Sequence, residues 1–170
     1  MMISKRVEKE LNKQINAEFY SAYLYLSMSA WCQIKNLNGC ANWMHVQYQE
    51  ETAHALKLYD YIIERGGIVS FDAIATPKTS CKNIIDIFAE TLKHEQHVTS
   101  LINNLMNVAI SEKDHAASNF MQWFVNEQVE EEANVTVILE QLKMIDGKGS
   151  ALLMLDREMQ QRVFVPIAKV

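Results

Sequence analysis

An all-α fold, a bundle of four long helices with a short fifth at the carboxyl end, is predicted by three features of the chain. Glycine and proline are scarce, at 5 and 2 among 170 residues, whereas turns and sheet edges need more of both. Four long stretches carry apolar residues at steps of three and four, the period of an amphipathic helix. Between the second and third stretches, residues 67–83 lose that period and contain Pro77. A connection this long makes sense if it runs the length of a bundle, so that the second and third helices are parallel. With 49% apolar residues, the chain can build one domain over 1–170 with a substantial core.

The first helix is expected from about Ser4, a candidate N-cap, to Lys35, with Asn36 to Gly39 as its stop. Its inward seam reads Val7, Leu11, Ile15, Glu18, Ala22, Tyr25, Ser29, Cys32. The second runs from about Cys40 to Arg65 and stops at Gly66-Gly67, with seam Met44, Gln47, Glu51, His54, Leu58, Tyr61. The third covers about Asn83 to Ile110, with seam Ile85, Phe88, Leu92, Glu95, Thr99, Ile102, Met106, Ala109. Asp114 can cap a fourth helix reaching Lys143, with seam Phe120, Phe124, Gln128, Glu131, Val135, Ile138, Leu142. The bundle thus spans about 4–143. Asp146 to Gly149 breaks the chain, 150–161 forms the short fifth helix, and Val163 to Val170 is an apolar tail.

The net charge of −5 argues against nucleic-acid binding and suits cations as partners. Cys32, Cys40 and Cys81 are an odd number with no Cys-x-x-Cys, and read as reduced, mostly buried thiols. The amino end lacks a signal-peptide apolar region. Ala17 to Trp31, the longest apolar-looking run, is too short and too polar to span a bilayer. A soluble cytoplasmic protein with no membrane partner is expected.

Each of the four long seams is interrupted near its middle by an acid: Glu18, Glu51, Glu95 and Glu131. A helix turns every ~3.6 residues, so Glu51 and His54 of Glu51-Thr52-Ala53-His54 share a face. Unpaired buried charges cost several kcal/mol each, on the order of a domain's whole stability. A bound metal pair offsets that cost, and bundle metal sites combine single Glu residues with Glu-x-x-His pairs. The fourth helix departs from that template, offering Gln128-x-x-Glu131 overlapping Glu127-x-x-Glu130. Carboxylates with one imidazole form a hard, oxygen-rich site suited to iron or manganese. Losing the second His weakens the hold on one metal, which suits a metal that turns over. Glu50, Glu127 and Glu130 lie one residue off the seams; they form either a third, more exposed site or a solvated face. Tyr25 is either a partner of a ligand, able to donate an electron, or a core tyrosine. Trp123 has the same two readings. His94 and His97 flank Glu95 and are expected on an exposed face.

At this point the chain resembles the ferritins, specifically the haem-free bacterial and archaeal type, over nearly all its length. The most specific segments are Gln49-Glu50-Glu51-Thr52-Ala53-His54-Ala55 and Asn126-Glu127-Gln128-Val129-Glu130-Glu131-Glu132. The resemblance implies a hollow shell of about 24 identical chains that oxidises Fe(II) with dioxygen or peroxide and stores a hydrated ferric oxide. It implies a ferroxidase di-iron centre in which Glu18, Glu51 and His54 hold the first iron. Glu51, Glu95 and Gln128 would serve the second, with Glu51 bridging and Glu131 close by. Glu50, Glu127 and Glu130 match a third iron site, and Tyr25 matches the family's site tyrosine. Haem-binding relatives carry a methionine where this chain has Thr52, so no haem is implied. Two rival functions share the constellation: a non-catalytic cage subunit, and a soluble di-iron oxidase acting on an organic substrate.

Overall fold

The computed structural model describes residues 2–78 and 81–167. These form five helices and no strand: α1 Lys5–Ile34, α2 Asn38–Glu64, α3 Ile84–Ser111, α4 His115–Met144 and α5 Gly149–Met159. The all-helical expectation holds. Three helices start on side-chain caps. Ser4 Oγ accepts from Val7 N at 3.3 Å, Asn83 Oδ1 from Asp86 N at 2.9 Å, and Asp114 Oδ1 from Ala117 N at 2.9 Å. Each satisfies an N–H that the first turn leaves unpaired. All four long helices end alike. The amide five residues on bonds back to the Cys32, Ile62, Ala109 and Leu142 carbonyls, and a residue at positive φ reverses the chain: Asn36, Gly66, Lys113 and Asp146.

The second helix begins at Asn38 rather than Cys40. Gly39 is therefore no breaker. A Cβ there would lie 1.5 Å from the Asp156 carbonyl oxygen, so glycine is what lets α5 approach. α2 has no local side-chain cap; instead Asp156 Oδ1, from α5, accepts from Cys40 N at 2.8 Å. The cap comes from more than a hundred residues away, which a reading of neighbouring residues cannot find.

Pairings between helices fix their directions. Glu18 faces Glu51 and Ser29 bonds Ala41 O, so α1 and α2 are antiparallel. Ser21 meets His94 and Arg6 meets Glu112, so α1 and α3 are antiparallel too. α2 and α3 are therefore parallel, as the long crossover required. That crossover is seated on one stripe of α1. Glu8 accepts from Ile68 N, Asn12 brackets Ile68 O and Ser70 N, and Asn16 donates to Asp72 O and Ala73 O. The spacing of four places all three on one helix face.

The core is two apolar bodies rather than one. Tyr25, Met28, Met44 and Phe88 centre the first; Leu11, Ile62, Ile102 and Met121 centre the second. Between them lies a buried polar layer: Gln14, Glu18, Gln47, Glu51, His54, Glu95, Gln128 and Glu131. The expected seams of α1 and α2 are buried except Tyr61, which is half-buried while Ile62 takes the inner place. On α3 the seam is rotated: Thr91, Val98 and Leu105 are buried, whereas Ile85, Leu92, Thr99 and Met106 are only partly so. On α4, Met121 and Leu139 replace Phe120 and Ile138 in the same way. Both adjacent stripes are apolar there, so periodicity does not choose between them. Leu152 and Leu155 of α5 pack on the core, but Leu153 is exposed. Of the expected apolar tail, Val163 and Val165 are exposed, and 168–170 lie outside the described residues. No helix among the described residues is long and apolar enough to cross a membrane.

Candidate metal centre

The polar layer begins with Glu18, Glu51 and His54. One potential ligand atom from each lies within 4.8 Å of the others, and all three residues are buried. α1 supplies the first, and successive turns of the same face of α2 supply the other two. Glu18 Oε1 accepts from Gln14 Nε2 at 2.9 Å. Glu18 Oε2 meets no N–H or hydroxyl donor, the one such buried side-chain atom among the described residues, and the Glu18 carboxyl shares a proton with Glu51. An orphaned buried oxygen carries a penalty of about 1–3 kcal/mol, more when charged, unless something binds it. His54 Nδ1 lies 3.3 Å from Glu51 Oε2, and its Nε2 lies 3.9 Å from Glu127 Oε1. The ring packs edge-on against Trp123 and Phe124, which limits its rotation.

Glu95 closes the layer from α3. It accepts from the Tyr25 hydroxyl and, at 3.2 Å, from Gln128 Nε2. Gln128 also donates to the Glu95 carbonyl at 3.3 Å. Glu131 accepts from Gln47 Nε2 at 2.9 Å. Thus Glu18, Tyr25, Glu51, His54, Glu95, Gln128 and Glu131 come together at one level of the bundle.

The crowding of buried acids favours their protonated forms. Burial, then the charge of Glu51, holds the Glu18 carboxyl well above the usual range. Burial, then Glu95 and Glu131, does the same to Glu51. Burial and Glu131 push Glu95 up to about 8 against its hydrogen-bond donors. Without a cation the layer stays charge-poor by keeping protons. Burial also keeps the Tyr25 hydroxyl protonated, helped by Glu95 and Glu51.

The three acids one position off the seams differ in burial. Glu127 is half-buried beside His54, and burial raises its carboxyl. Glu130 is exposed. Glu50 pairs with Arg162 at 2.6 Å, and burial pushes its carboxyl up to about 7 although that guanidinium opposes it. The structure corrects the expectation for His94, which is half-buried rather than exposed. Burial, then His97, pushes its imidazole down to about 4. The Ser21 hydroxyl already donates to the Ala17 carbonyl, so neutral His94 donates through Nε2 to Ser21 Oγ at 2.8 Å. His97 is exposed as expected. Cys32 and Cys40 are buried free thiols, and Cys81 is only partly buried.

Two participants escaped sequence reasoning. Gln14 sits four residues before Glu18 on the same face, a spacing that could have flagged it. Arg162 belongs to a segment beyond the bundle, and no local pattern ties it to Glu50.

The ferritin-like domain family matches residues 8–145. A bacterial non-heme ferritin of Campylobacter jejuni is 40% identical over 156 residues, covering 92% of this chain and 93% of that one. One from Bacteroides fragilis is 40% identical over 161 residues, covering 95% and 100%. Among solved structures, an open-pore ferritin of the archaeon Archaeoglobus fulgidus superposes with a TM-score of 0.93 at 46% identity, covering 95% of this chain and 98% of that one. An engineered closed form of the ferritin from the same organism gives 0.94 at 46% identity, covering 96% and 99%. Sequence, fold and polar layer agree, and the chain belongs to the ferritins, alongside the non-heme bacterial and archaeal members.

Proposed function

We propose that this protein is an iron store with its own ferroxidase activity, taking Fe(II) as substrate and holding the ferric product in a shell of about 24 copies. The observation that carries the reading is the buried group of Glu18, Glu51 and His54 at the middle of the bundle, each offering a ligand atom within 4.8 Å of the others. The donor set of several carboxylates, one imidazole and one amide oxygen is hard and oxygen-rich, and fits iron.

On this reading Glu18, Glu51 and His54 take one Fe(II), and Glu51, Glu95 and Gln128 the other, with Glu51 between them and Glu131 alongside. Because these buried carboxyls hold protons without a cation, loading the irons displaces them, and uptake strengthens as pH rises. The two Fe(II) each lose one electron. Dioxygen accepts both with two protons and leaves as hydrogen peroxide. With hydrogen peroxide as oxidant, the same two electrons and two protons cleave its O–O bond and leave two waters. Tyr25 orients Glu95 through its hydroxyl and stands ready as an electron donor. Glu50, Glu127 and Glu130 form an outer, wetter site where a third iron keeps more water ligands and exchanges faster. The protein works in the cytoplasm, without haem.

Aerobic Fe(II) addition with iron counted per shell tests the reading. The parental protein should show a rapid phase of two irons per chain and then accumulate a ferric core. His54→Ala should slow that phase by about a hundredfold while the shell still assembles. Parental-rate oxidation in His54→Ala would move the centre elsewhere, and a shell that never oxidises iron would be the non-catalytic subunit.

A further inference from the structure

After α5 the chain folds back along α2. Asn42 Nδ2 holds it there, donating to the carbonyls of Met159, Gln160 and Arg162 at 3.3, 3.4 and 2.9 Å. The return delivers one side chain, Arg162, to the flank of the polar layer. Its guanidinium lies over the Trp43 ring, 4.4 Å from the centroid, and Nη1 donates to the Trp43 carbonyl at 3.3 Å. Nη2 donates to Gln47 Oε1 at 2.5 Å and to Glu50 Oε2 at 2.6 Å. Both members of the Arg162–Glu50 pair are 22% exposed, so water screens them only in part. A planar guanidinium with an aromatic face below and three acceptors around it uses features that set Arg apart from Lys.

This placement does two things. It fixes the Gln47 amide: with Oε1 on the guanidinium, Nε2 must face the layer, where it donates to Glu131. It also puts a permanent positive charge on Glu50, a carboxylate of the outer site. A metal ion arriving at Glu50, Glu127 and Glu130 would meet a carboxylate already neutralised.

We propose that Arg162 is a tethered cation that competes with the third iron for Glu50, so that the outer site fills only when the strap after α5 lets go. The inference rests on the proposed function, because it takes Glu50 as part of a metal site. It assigns to the carboxyl-terminal strap a role in deciding how many metals each chain holds. Filling would then swap one cation for another on Glu50 and free Gln47 to turn.

Calorimetric titration of metal-free shells with Zn(II), a divalent ion that cannot be oxidised, counts the sites without using turnover. The parental shell should bind two ions tightly per chain and a third weakly. Arg162→Ala should tighten the third about tenfold while the first two stay the tighter, whereas Arg162→Lys, which keeps the charge, should gain much less. Trp43 gives a second reading: its emission should change as the third equivalent binds to the parental shell, and not in Arg162→Ala. If Arg162→Ala fails to assemble, Arg162→Gln removes the charge while keeping a donor for Gln47. Two tight sites with an unchanged third in the charge-removing variant would overturn the competition and leave the proposed function standing. A parental shell with no tight sites would overturn both.

Discussion

Burial holds the Glu95 carboxyl up to about 8; Glu131 adds to the shift, and the donors Tyr25 and Gln128 oppose it. An unfolded chain would give the same carboxyl up near 4.5. The folded, metal-free state therefore binds the proton more tightly, and the stability linked to it is present below about 4.5 and is lost as pH rises through about 8. Denaturant unfolding of metal-free protein should show lower stability near pH 8 than near pH 5, and Glu95→Gln should flatten that slope. An equal slope in the variant would mean that Glu95 is already ionised in the fold. At this scale the sequence was readable where ligands sit on one helix. Glu51 and His54 are three apart, and Glu18 interrupts an apolar seam. Arg162 was not readable, because its partners lie on α2 and only the docking of α5 brings them together. Nor was the burial of His94: Ser21 supplies its acceptor from another helix.

Among the elements, α5 is held by a geometric coincidence at Gly39 and Asp156. Replacing Gly39 by Ala would force a Cβ to within 1.5 Å of the Asp156 carbonyl oxygen, which is backbone and cannot swing aside. Gly39→Ala should therefore displace α5 and remove the Asp156 cap from α2, at a cost of about 1 kcal/mol or more. The four-helix bundle should persist, since of their buried residues α5 gives the first core body only Met159 and the second none. Cys40 reports the change. It is buried with its Sγ 3.6 Å from Met159 Sδ, and burial, then Asp156, keeps its thiol well above the usual range. Gly39→Ala should make it react with a thiol reagent many times faster than in the parental chain. An inert Cys40 in the variant would show that α5 tolerates the added methyl. The helices themselves were legible to within two residues at their starts, because the caps of α1, α3 and α4 and the stops of all four long helices are local. The rotation of α3 was not. It carries apolar residues on two neighbouring stripes, and packing against α1 and α4 decides which one turns inward.

For the whole molecule, the apolar residues of α5 and the strap after it bear on assembly. Leu153, Met154, Val163 and Val165 are each more than half exposed on the chain taken alone, and large exposed apolar patches mark surfaces that another protein covers. We expect them to be buried between copies around a symmetry axis of the shell. Light scattering at micromolar concentration should find a particle of about 24 chains, and Val163→Asp with Val165→Asp should shift it toward smaller species. A parental monomer or dimer would defeat the cage. The divided core has a consequence of another kind. A bundle with an acid layer across its waist holds together best when cations fill the plane, since what binds the folded state alone stabilises it. On the proposed reading the cargo is then part of the scaffold. A cell short of metal would hold a softer protein, more open to proteases across its middle, and would reclaim its empty containers before its full ones.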